Sequence, residues 1–158
     1  MFDGQKVSKS RIITSVDYSM VSMEAFEIYA TNHDIHVMDF VLKLDAYSYY
    51  MMNLLDYLIG NTDRHWGNWG FLVDNRTNQP VRLFDLMDLN QTFLAYDTPD
   101  GANCMTTGNR KMSQREAAVE AVKNIGLNQK DEIKDEWFKG REKEREMFWC
   151  RFGILKEQ

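Results

Sequence analysis

The sequence predicts a mainly α-helical chain with one small β-hairpin, and three observations carry that prediction. Leu44, Tyr47, Met51, Leu54, Leu55 and Leu58 recur at helical spacing, which gives a helix over residues 38–59 with a single apolar stripe facing the core. Ser113, with Glu116 three positions on, forms a capping box for a second helix that runs through Asn124 and stops at Gly126. Between these helices, residues 69–73 and 81–84 read as two strands joined by the polar turn 74–80.

The remaining elements follow in order. Residues 1–11 are polar and basic and read as a linker, with a short extended piece at Ile12-Ile13. Ser22 is placed to cap a helix over 23–31, and 32–36 reads as a loop. His33 and His36 lie three apart, but with no third ligand they make a poor zinc site. Gly60 stops the long helix and delivers the chain into Asn61-Thr62-Asp63. Residues 91–111 are loop-like, with turns at 98–101 and 106–109, and Thr106, Thr107 and Ser113 are candidate phosphate acceptors there. Ala117, Ala118, Ala121 and Val122 predict a close-packed helix face. In the charged segment 130–156, Ile133 and Trp137 share one face, Gly140 breaks the helix, and Phe148, Phe152 and Leu155 mark a second face. The mixed charges from Arg141 to Glu146 read as a solvated surface.

Composition narrows the function classes. The 158 residues suit one domain, and an apolar content of 44% is that of a globular chain. A net charge of −5 without a basic run argues against nucleic acid as a partner. Cys104 and Cys150 are far apart and read as reduced thiols in a cytoplasmic protein. The longest mostly apolar stretch, 47–59, is interrupted by Asn53 and Asp56, which is unlike a membrane span.

The stretch from Asn61 to Asn90 concentrates the chemistry. A hairpin brings its open ends together, so Asn68 before it and Asp88 after it are expected to be neighbours, with Asp63 five residues before Asn68. Oxygen-bearing side chains of this kind suit Mg²⁺, which is commonly held by one or two side chains plus substrate phosphates. A further carboxylate, Asp63, is then left to orient a hydroxyl and take its proton. His65 is expected to hold the loop.

N-T-D-R-H-W-G-N-W-G-F followed by L-M-D-L-N resembles the catalytic and metal-binding segments of HipA-like serine/threonine kinases, over roughly a fifth of the chain. The resemblance implies the carboxy-terminal lobe of such a kinase: a helical bundle carrying the catalytic loop and the metal-binding hairpin, with 1–158 as a single unit. It implies ATP and Mg²⁺ as cofactors, Asp63 as the catalytic Asp, and Asn68 and Asp88 as metal- and nucleotide-binding residues. Phe84-Asp85-Leu86 can also be aligned with the second metal segment, so Asp85 is the alternative to Asp88. A serine or threonine hydroxyl of a protein would be the substrate, and an antitoxin-like regulator a possible partner. Only Gly4 precedes Gly60, so no glycine-rich nucleotide lid lies upstream, and the amino-terminal lobe would have to come from elsewhere. Two other readings share these residues: a non-catalytic kinase-like module that binds a partner protein, and a phosphoinositide-type lipid kinase lobe. The acidic balance disfavours the latter.

Overall fold

A computed structural model describes residues 13–93, 98–127 and 132–158. The amino-terminal linker expected over 1–11 lies outside them. In chain order the elements are β1 (Tyr18–Ser22), α1 (Met23–Asn32), α2 (Val37–Ile59), β2 (Gly70–Asp74), β3 (Gln79–Leu83), α3 (Gln114–Ile125) and α4 (Glu142–Lys156), with a 3₁₀ turn at Asp135–Phe138. The architecture is therefore mixed α/β: four helices and a three-stranded antiparallel sheet in the order β1-β2-β3.

The predicted hairpin is present, and the third strand corrects the expected fold. The segment Y-S-M-V-S is short and half polar, and it runs straight into the cap of α1, so no strand pattern stands out. Pairing supplies what propensity does not. Val21 faces Phe71 and Ser22 faces Gly70, and a Cβ at Gly70 would lie 2.1 Å from the Val21 carbonyl oxygen, so that close approach requires glycine. Under the sheet, Phe71 meets Phe26 edge-on at 4.7 Å and Phe40 at 5.7 Å between ring centroids, which joins α1, α2 and β2 in one core.

Helix α2 carries two corrections. It is broken at Asp45, whose backbone is not helical. Asp45 Oδ1 accepts the Ser48 amide at 3.1 Å as an internal cap, while Oδ2 accepts the Leu83 amide at 3.0 Å and closes the free edge of β3. The expected apolar stripe is only partly core: Tyr47 is 60% exposed and Met51 37%. The buried side is turned toward Tyr49, Met52, Leu54, Tyr57 and Leu58, and it takes Asn53 and Asp56 inside with it.

The caps of α1 and α3 fall where the sequence placed them. Ser22 Oγ accepts the Ala25 amide, and Ser113 and Glu116 form the full reciprocal box. Ala117, Ala118 and Ala121 are buried, which lets α3 lie close to α2. Toward the carboxy terminus Trp137 is 60% exposed and Phe138 is buried in its place, because a 3₁₀ turn rotates the chain differently from the α-helix the spacing implied. Phe148, Phe152 and Leu155 are buried on α4 as expected. Arg151 is buried among them: Nη1 donates to the Tyr57 carbonyl at 2.6 Å, and its guanidinium lies over the Tyr57 ring. Among the described residues, no helix is long and apolar enough to cross a membrane.

Thr106 and Thr107, expected as exposed phosphate acceptors, are 1% and 2% exposed. Thr106 Oγ1 donates to Asn53 Oδ1 at 2.5 Å, and Thr107 Oγ1 to the Arg110 carbonyl at 2.6 Å. Ser113 is spent as the α3 cap. A kinase would have no path to the two threonine hydroxyls in this fold.

Burial of this polar layer has a consequence at high pH. Desolvation pushes the Cys104 thiol above its ordinary 9.0 and the Tyr49 and Tyr57 phenols above 10.0. All three are neutral in the fold and ionise more readily when unfolded, so the stability they contribute is complete below about pH 9 and is lost as pH rises through their folded values. The urea midpoint should hold level to about pH 9 and then fall, and the fall should start at higher pH in Cys104→Ala, where only the phenols titrate.

Candidate active site

The loop between α2 and β2 is built on a buried ion pair. Asp56, in the last turns of α2, and Arg64 are both 3% exposed. Arg64 Nε donates to Asp56 Oδ2 at 2.8 Å and Nη2 to Oδ1 at 3.0 Å, a two-point pairing that fixes the plane of the guanidinium. Asn61 Nδ2 donates to the same Oδ1 at 2.9 Å. Gly60 makes the sharp exit from the helix, with φ of 61° and its amide on the Asp56 and Tyr57 carbonyls.

The remaining arm of Arg64 gathers the two segments that the sequence set apart. Nη1 donates to the Asn68 carbonyl at 3.1 Å and to the Met87 carbonyl at 2.7 Å. Asn68, at the mouth of β2, and Met87-Asp88, beyond β3, therefore hang on one nitrogen. The open ends of the hairpin are thereby joined at the carbonyls of Asn68 and of Met87, the residue before Asp88. Asp63 belongs to the same loop, since its carbonyl accepts from the His65 amide at 3.0 Å and from Asn68 Nδ2. The amide nitrogen of Asn68 is committed in this way. Among the described residues its Oδ1 is buried without a hydrogen-bond partner, in a residue 5% exposed.

The carboxylates differ in what they touch. Asp85, the alternative to Asp88, is exposed and takes Arg82 Nη1 at 2.6 Å. Among the described residues, the carboxylates of Asp63 and Asp88 have neither an ion pair nor a hydrogen bond. Asp88 also holds a left-handed backbone, φ 53°, which non-glycine residues adopt at some cost and most often in turns or functional loops. His65 is exposed, and its Nδ1 accepts the Gly67 amide at 3.0 Å, so it braces the loop as expected. His33 stacks on Tyr29 and bonds its carbonyl, while His36 caps α2. Among the described residues, no three His, Cys, Asp or Glu side chains cluster as metal ligands.

The amino terminus of α1 docks on this loop. The Met23 amide donates to the Trp69 carbonyl at 2.8 Å and the Glu24 amide to the Trp66 carbonyl at 3.1 Å. Sequence reasoning named Asp63, Asn68 and Asp88 but missed the supports: Asp56, Asn61 and the role of Arg64. The available signal was Asp56 itself, an acidic residue in the apolar run Leu54-Leu55-Asp56-Tyr57-Leu58-Ile59, seven positions before Asp63, since a buried carboxylate requires a partner. No family model matches the chain, and no curated protein or solved structure is significantly similar to it.

Proposed function

We propose that this chain is the catalytic lobe of a HipA-like, ATP- and Mg²⁺-dependent kinase that phosphorylates a serine or threonine hydroxyl of a protein. The observation that carries the reading is Asn68 Oδ1, buried without a hydrogen-bond partner among the described residues, in a loop that Arg64 ties to the carbonyl of Met87, the residue before Asp88. A buried acceptor without a donor costs about 1–3 kcal/mol, and a hard cation with oxygen preference is a fitting partner for it. Asn68 and Asp88 are the residues that would hold the ion. Bound there, Mg²⁺ supplies charge neutralisation for the phosphates of ATP.

The chain's own residues do the rest. Asp63 accepts the proton of the acceptor hydroxyl and orients its oxygen. Arg64, neutralised by Asp56, keeps Asn68 and Met87 in register instead of competing for phosphate. Asp88 is preferred to Asp85, whose carboxylate is paired with Arg82. Turnover needs a nucleotide-covering lobe with a phosphate-pairing lysine, supplied by another part of the assembly.

Calorimetry of ATP binding with and without Mg²⁺ tests the reading on the chain itself. A metal-dependent signal is expected, and Asp88→Ala should weaken it at least tenfold. An ATP signal indifferent to Mg²⁺ and to Asp88→Ala would turn the balance to the second reading, a kinase-like module that binds a partner protein.

A further inference from the structure

We infer that Gln114 is a positioning residue that ties the segment following the hairpin to the metal-holding loop, an inference that rests on the kinase reading above. Gln114 is the first residue of α3, far from Asn68 in sequence, yet it is 5% exposed and both ends of its side-chain amide are hydrogen-bonded. Nε2 donates to the Asn61 carbonyl at 2.5 Å, and Oε1 accepts the Ala102 amide at 3.0 Å. Its backbone amide returns the grip by donating to the Ala102 carbonyl at 2.8 Å. The neighbouring turn leaves room for this: Gly101 has φ 68°, and a Cβ there would stand 2.7 Å from Gln114 Oε1.

From Asn61 the connection continues without a gap. The Asn61 side chain bonds Asp56, Asp56 holds Arg64, and Arg64 holds the carbonyls of Asn68 and Met87. Ala102, in the segment that follows the hairpin, is thus joined to Asn68 and to Met87, the residue before Asp88, through buried and part-buried hydrogen bonds. Trp66 Nε1 donating to the Met105 carbonyl at 2.8 Å is a second tie between the same two segments. Two polar termini anchored in opposite directions leave the Gln114 side chain one conformation. An apolar residue of equal length would fill its space but release Asn61. In a site whose chemistry is mainly positioning, loosening of that order is felt at the ligands.

The test uses Mn²⁺ as the probe, read by electron paramagnetic resonance on the full chain, with thermal unfolding measured in parallel. Gln114→Met should remain folded and bind Mn²⁺ about tenfold more weakly, the low end for residues that orient metal ligands. Gln114→Glu keeps the acceptor for Ala102 but offers no N–H to Asn61, so it should weaken binding similarly and assign the effect to the Asn61 bond. Wild-type Mn²⁺ affinity in both folded variants, with Asn68→Ala deficient, would overturn the positioning role and leave the kinase reading standing. Wild-type affinity in Asn68→Ala would overturn that reading itself. A merely structural glutamine would lower the melting temperature and leave the affinity of the folded protein unchanged.

Discussion

Replacing Arg64 with methionine should destabilise the protein by about 3–5 kcal/mol, the range for removing one partner of a buried ion pair. The substitution keeps most of the side-chain volume, so the cost is electrostatic. Asp56 would be left at 3% exposure without its cation and, among the described residues, with only the Asn61 side chain to hydrogen-bond it, while the Asn68 and Met87 carbonyls would lose their common donor. Against a total stability of about 5–15 kcal/mol, that loss is a large share of what holds the fold. Urea denaturation of the single variant and of Asp56→Leu/Arg64→Met separates the contributions. The double variant removes the lone charge and should recover much of the loss, but not all, since three polar groups still lack Arg64 or Asp56. A single-variant cost below about 1 kcal/mol would mean the pair behaves like a solvated surface bridge, and the loop would need another explanation.

The same residues show how much of the molecule was legible beforehand. Helix ends were readable because caps are local: Ser22, Gly60, Ser113 and Gly126 each act within a turn of their own position. The hairpin was readable for the same reason, its turn and alternation lying within fifteen residues. What the sequence did not expose depends on partners far along the chain. β1 is a strand because β2 pairs with it, 48 to 56 residues later in sequence. Tyr47 and Met51 sit on the right helix but outside its buried side, because the break at Asp45 and the pull of Asp56 inward rotate the face that is covered. Thr106 looked like a surface hydroxyl until Asn53 met it from α2. At the candidate site, Asp63, Asn68 and Asp88 could be named from a motif. What joins their segments, one guanidinium nitrogen holding the carbonyls of Asn68 and Met87, is a tertiary fact.

Asp63→Ala should reduce phosphoryl transfer by about 10²–10⁴-fold, the usual contribution of a positioned general base, with no loss of fold. The two halves of that expectation come from different atoms of one residue. The Asp63 carbonyl supports the loop by accepting from His65 and Asn68, and alanine keeps it. The carboxylate has no partner among the described residues, so its removal strips no structural bond and relieves no buried charge pair. Transfer to a protein serine or threonine, measured in the assembly that supplies the nucleotide-covering lobe, should therefore fall while the melting temperature holds. Asp85→Ala is the matched control: it deletes a carboxylate from the same stretch, but one already held by Arg82 at the surface. Its activity should stay within about twofold of wild type, as expected for an exposed pair of small energetic weight. If Asp85→Ala is the inactive variant and Asp63→Ala transfers phosphate normally, the roles given to the two residues are wrong, and the Arg82 pair must open before the site can work.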